Sequence, residues 1–158
     1  MGNIFSGSEI VEIGIQIEKN GRDFYKEVVA NSKSEKAKEI FRYLADAEEK
    51  HIDVFLDLLA SVNKYEPAEA YPEEYFAYMN ALASGYVFTQ ADVGREIGKS
   101  VKSDAEAIEI GIKFEKDSIL FFDGIKKVVP ASGQALVAAL LEQEEEHLQK
   151  LEEFAGQL

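Results

Sequence analysis

The chain has 158 residues, 46% of them hydrophobic and 30% charged, a globular mix long enough to bury a core of its own as one domain over 1–158. Its formal charge of -13 argues against nucleic acid or anionic lipid as a partner, because both are met with positive surface. Cysteine is absent, which excludes disulfides, thiolate metal sites and a catalytic thiol.

Residues 1–6 fit the loose myristoylation pattern, but a short lead-in to the first helix is the preferred reading. Neither a basic n-region nor a long apolar stretch is visible there, and no apolar run approaches the length of a membrane span, so a cytoplasmic location is expected. The first helix is predicted over about 8–30. Ser6 or Ser8 can cap its amides, and Ile10, Gly14, Ile17, Gly21, Phe24 and Val28 recur at helical spacing. Glu18 lies on the border of that stripe, with Tyr25 one heptad later. A glycine inside a helix costs roughly 1 kcal/mol relative to alanine, so Gly21 asks for a reason, either room beside a metal or close helix packing.

Ser34 can cap a second helix over about 34–61, with Ile40, Phe41, Leu44, Ile52, Phe55, Leu58 and Leu59 as its apolar face. The short loop makes the two helices antiparallel neighbours. From 63 to about 100 the character changes to a crossover. Pro67 and Pro72 mark turns, 73–83 suits a short aromatic-rich helix, and Thr89 is placed to cap another piece through Ile97. Tyr71, Tyr75, Phe76, Tyr78, Tyr86 and Phe88 are expected to cover the edge of the core, with Glu69, Glu73, Glu74 and Glu96 mostly solvated, though one of these glutamates could reach the site.

Ser103 and Glu106 have capping-box spacing and open a third helix to about 129, whose stripe is Ile108, Ile112, Ile119, Phe122 and Ile125 with Glu115 inside it. The fourth runs over about 132–155 through Val137, Leu140, Leu141, Leu148, Leu151 and Phe154, with Gly156 as its stop.

The two histidines of the chain, His51 and His147, each follow a glutamate by three residues, Glu48 and Glu144. On a helix, glutamate and histidine three apart point the same way and can grip one metal ion together. Glu48 is flanked at helical spacing by Leu44, Ala45, Ile52 and Phe55, and Glu144 by Leu140, Leu141, Leu148 and Leu151, so both sit in apolar stripes. Glu49, Glu145 and Glu146 fall toward the polar faces. An unpaired buried carboxylate is costly enough that protonation or a cation must accompany it.

Residues 12–20 read EIGIQIEKN and 109–117 read EIGIKFEKD, and EEKH at 48–51 matches EEEH at 144–147. The chain is therefore two copies of one helical hairpin, which pack as a four-helix bundle about a pseudo-twofold axis. Gly14 and Gly111 each precede their glutamate by four residues and are expected to leave space at the site. Glu18, Glu48, His51, Glu115, Glu144 and His147 then face inward. Four carboxylates balance two divalent ions, and mixed oxygen and nitrogen ligands favour iron or manganese, with zinc possible, over calcium or magnesium.

With those residues the chain resembles the ferritin-like di-iron carboxylate superfamily, an all-α fold of two antiparallel hairpins joined by a long crossover, and is most similar to the rubrerythrin family. The resemblance implies two iron ions reacting with hydrogen peroxide or dioxygen. Glu48 and Glu144 would bridge them, Glu18 and Glu115 would be terminal, and His51 and His147 would each bind one. Tyr25 would hydrogen-bond a ligand carboxylate, while its repeat partner is Phe122. Rubrerythrins typically carry a further carboxylate three residues after the third-helix glutamate, where this chain has Ser118. Without a rubredoxin module, electrons would come from an external donor such as a separate rubredoxin-type protein. A homodimer or small homo-oligomer is expected. The alternatives to an oxidoreductase are a ferroxidase of the ferritin type, and a bundle with dimanganese or purely structural metal.

Overall fold

A computed structural model describes residues 7–65, 90–126, 129 and 131–158. Every regular element among them is a helix: α1 (Gly7–Asn31), α2 (Glu35–Tyr65), α3 (Val93–Ser100), α4 (Asp104–Ile125) and α5 (Ala131–Ala155). Residues 32–34 join α1 to α2, and the two helices pack along each other as α4 does along α5. α1 also meets α4, and α2 meets α5, so the four long helices form a bundle of the ferritin-like kind. None of the described helices is long and apolar enough to cross a membrane.

The caps are local and legible. The Ala37 amide donates to Ser34 Oγ at 3.3 Å, opening α2. At α4 the extended Ser103 accepts from the Glu106 amide at 3.1 Å, but the Glu106 carboxylate accepts from the amide of Lys102 rather than from that of Ser103, so the expected box closes one residue early.

Two helix ends differ from expectation. α2 continues to Tyr65, four residues past 61, because neither proline nor glycine interrupts that span. α4 stops at Ile125 rather than 129. The side-chain amide of Gln134 donates to the carbonyls of Lys126 and Val129, satisfying them from α5 in place of another helical turn.

The core of α4 is also broader than its predicted stripe. Phe114 and Phe121 are fully buried beside Ile108, Phe122 and Ile125, whereas Ile112 and Ile119 are only partly buried, as are Ile40, Leu59 and Leu148 elsewhere. Gly21 explains the first of these. A Cβ there would stand 2.3 Å from Phe114 Cζ, so the missing side chain admits the phenylalanine ring and serves packing rather than a metal. The expectation that Gly14 leaves space at the site is corrected in the same way, whereas Gly111 makes room beside Leu151 for the Tyr25 hydroxyl that reaches Glu115. A Cβ on Gly14 would meet Ile125 and Phe55 at 3.1 and 3.2 Å, and one on Gly111 would meet Leu151 at 3.1 Å and the Tyr25 hydroxyl at 3.4 Å.

α3 begins at Val93, after Asp92 in left-handed backbone (φ 61°), which aspartate tolerates better than most residues. It is held against α1 by the buried Asn20, whose amide nitrogen donates to the Gln90 carbonyl at 2.6 Å and whose oxygen accepts from the Gly94 amide at 3.1 Å. Approach is so close that a Cβ on Gly94 would lie 2.0 Å from the Asn20 carbonyl oxygen, and one on Gly98 2.6 Å from Glu27 Cβ. Gly94→Ala is therefore expected to push α3 off α1 and cost about 2–3 kcal/mol, seen as a fall in Tm of roughly 5–10 °C. Glu96 is exposed, as expected. Thr89, the proposed helix over 73–83, its aromatic residues and Glu69, Glu73 and Glu74 lie outside the described residues, as do residues 1–6.

Candidate metal centre

Glu18 of α1, Glu48 and His51 of α2, Glu115 of α4, and Glu144 and His147 of α5 converge at the middle of the bundle. The four carboxylates are 0% exposed and the imidazoles 2% or less, so all six side chains sought from the sequence lie in the interior together. Their neighbours Glu49, Glu145 and Glu146 are exposed, as helical phase requires.

The six divide into two overlapping groups, Glu18, Glu48, His51 and Glu144 on one side, and Glu48, Glu115, Glu144 and His147 on the other. His51 Nδ1 lies 3.2 Å from Glu18 Oε2, 3.6 Å from Glu48 Oε2 and 2.8 Å from Glu144 Oε1. His147 Nδ1 lies 3.6 Å from Glu48 Oε1, 3.7 Å from Glu115 Oε1 and 3.9 Å from Glu144 Oε2. Glu48 and Glu144 thus each turn one oxygen to either imidazole, and the two rings stack with centroids 5.6 Å apart. Ligand atoms about 2.1 Å from a shared octahedral ion stand roughly 3.0–4.2 Å from one another, and all of these distances but the 2.8 Å one from His51 to Glu144 fall in that range.

Protein hydrogen bonds do not satisfy this cluster. Although the imidazoles come close, Glu18 Oε1, both oxygens of Glu48 and of Glu144, Glu115 Oε2 and His147 Nδ1 have no partner in hydrogen-bond geometry. Buried acceptors left in that condition are expensive, and cations are the partners that four convergent carboxylates can use. The donor set fits two divalent ions, since four carboxylates and two neutral imidazoles leave no net charge.

Without ions the cluster redistributes protons. Burial, followed by repulsion from Glu48 and Glu144, holds the Glu18 carboxyl well above the usual range, and burial with repulsion from Glu144 does the same for Glu115. Burial also works against Glu48, but the close approach of Glu18, His147 and His51 outweighs it and depresses this carboxyl. The His147 cation is disfavoured by burial, yet the nearby Glu115 and Glu48 carboxylates carry it up to about 11, and His51 is raised by Glu144 and Glu18 against the same burial.

Outside these six side chains, the Tyr25 hydroxyl donates to Glu115 Oε1 at 2.7 Å, and burial with the neighbouring Glu115 keeps that phenol protonated. Phe122, its counterpart in the repeat, packs on Phe55 with ring centroids 4.8 Å apart and has nothing to donate. Ser118 is buried with its Oγ unpartnered. Gln143 was not singled out by the sequence, yet its Oε1 lies 2.7 Å from His51 Nε2. The available signal was a break in the repeat, which has Ala47 at the matching position.

Comparison with known proteins accords with this geometry. The Rubrerythrin family model matches residues 9–155. A crystal structure from Thermotoga maritima, described as that of a ferritin-like diiron-carboxylate protein, is similar at 29% identity and a TM-score of 0.74, covering 98% of this chain and 97% of the other. Curated proteins gave no match.

Proposed function

Because this chain belongs to the Rubrerythrin family, we propose that its centre holds two iron ions and reduces hydrogen peroxide or dioxygen with electrons from an external donor. The observation that carries the proposal is the division of Glu48 and Glu144, each with one oxygen toward either histidine, which is what two bridging carboxylates require. When bound, a ferrous pair supplies two electrons, the number needed to take one peroxide to two waters.

The chain's own residues set the conditions for that chemistry. Glu18 and Glu115 would each close one end of the pair, with Nδ1 of His51 and of His147 facing inward. Tyr25 restrains Glu115 through its hydroxyl, so this terminal carboxylate is less free to swing than Glu18. Phe41, Phe55, Phe114 and Phe122 close the core around the site and limit water. Ser118, one turn beyond Glu115, offers a hydroxyl but no charge, so among the described residues four carboxylates face the site.

Protein expressed with iron should contain about two iron atoms per chain and consume peroxide only when a reductant is supplied. Iron near zero overturns the proposal, and so does a loaded protein that leaves both peroxide and dioxygen untouched with reductant present. A dimer or tetramer in solution would separate it from a cage that stores iron, and the cytoplasm is the compartment proposed.

A further inference from the structure

The duplicated hairpins supply matching ligands, but they do not support them alike. We infer that Gln143 is a positioning residue for His51 alone, so that the two halves of the centre are held by different means; this rests on the metal-binding reading above.

His51 turns Nδ1 toward the carboxylates, at 2.8 Å from Glu144 and 3.2 Å from Glu18, and its outer nitrogen Nε2 toward Gln143 Oε1 at 2.7 Å. An imidazole bound to an ion through Nδ1 must carry its proton on Nε2, and only the oxygen of the Gln143 amide can accept it. The contact therefore selects one tautomer and one ring plane, and presents a lone pair to the ion. Gln143 reaches across from α5 to a ligand on α2, which also ties the two histidine-bearing helices together at the level of the site.

The pseudo-symmetric position is Ala47, which has no group able to accept from His147. The ring is instead met edge-on by Tyr43, with centroids 6.0 Å apart, and it borders a groove of about 520 Å³ lined also by Asp46, Ala47, Gln143 and Glu146. Tyr25 does not restore the symmetry, because it restrains the carboxylate of that half and not its imidazole. One half has a fixed histidine and the other a fixed glutamate.

The chain has two histidines, so imidazole NMR of the zinc-loaded, diamagnetic protein reports on each without overlap. The His51 Nε2 proton should exchange with solvent at least about tenfold more slowly than that of His147, because a hydrogen bond must open first. Gln143→Ala should abolish the difference and weaken zinc roughly tenfold to a hundredfold at one of the two positions, leaving the other unchanged. Gln143→Glu keeps an acceptor oxygen and should retain slow exchange. Ala47→Gln should slow the His147 proton. Equal exchange in the unaltered protein overturns the inference, as does a Gln143→Ala protein with the His51 signal and both affinities unchanged. Failure of zinc to shift either imidazole overturns the metal-binding reading itself and the inference with it. Gln143 is exposed on α5, so its replacement leaves the core intact.

Discussion

Glu144→Ala should leave the protein unable to hold either ion. Glu144 Oε1 stands 2.8 Å from His51 Nδ1 and Oε2 stands 3.9 Å from His147 Nδ1, so one truncation removes a ligand atom from both groups at once. It also removes one of the four negative charges that two divalent ions need in a site where all four carboxylates are 0% exposed. Metal analysis after iron loading should fall from about two atoms per chain to well below one. Loading also stabilises a native state, by about 2.7 kcal/mol for each site when free metal is a hundredfold above Kd, so the metal-dependent rise in Tm should vanish as well. Glu49→Ala is the matched control. Its carboxylate is on the surface, 2.8 Å from Arg22, and an exposed pair of that kind is worth about 0–1 kcal/mol, so both ions and nearly all the stability should remain.

Removing the ions should make stability fall as pH rises from about 5, and the sign follows from the groups involved. Glu18 and Glu115 have folded pKa values raised above the ordinary 4.5, so the folded state binds more protons than the unfolded chain above that pH. Their contribution is complete below 4.5 and is lost as pH climbs through the raised values. His51 and His147 act in the same direction: their contribution is present below the ordinary 6.5 and disappears as pH passes the folded values, about 11 for His147. Glu48, which is depressed, contributes oppositely and sets an acid limb below 4.5. Chelator-treated protein should therefore unfold at lower denaturant concentration at pH 9 than at pH 5, while the loaded protein should lack this slope. Binding must also expel a proton each from Glu18, Glu115, His51 and His147, so calorimetry near pH 6.5 in buffers of different ionisation enthalpy should show up to four protons released per chain. Proton-neutral binding would contradict the charge states assigned to the metal-free cluster.

The convergence of the six side chains was legible because two scarce histidines carried the same spacing in the same phase, and the repeat from EIGIQIEKN to EIGIKFEKD located their partners on the other helices. What escaped was everything decided by a neighbour distant in sequence. Phe114 is buried because Gly21 makes room for it, and neither residue shows that alone. The end of α4 depends on an amide from α5, through Gln134. Asn20 is buried because α3 supplies partners for both ends of its amide. Gln143 flanks its motif on an exposed face, where helical phase alone marks a residue as solvated.

Gly94 and Gly98 also act as a ruler. Four residues apart on α3, they rest on α1 beside Asn20 and beside Glu27, two points that straddle the turn bearing Phe24 and Tyr25. Insertions ahead of Gln90 would leave that spacing alone. A single residue inserted between the two glycines would swing one of them about 100° around the helix and replace it with a side chain for which α1 has no gap. Homologues that keep this contact should therefore vary in length upstream of α3 and almost never within it.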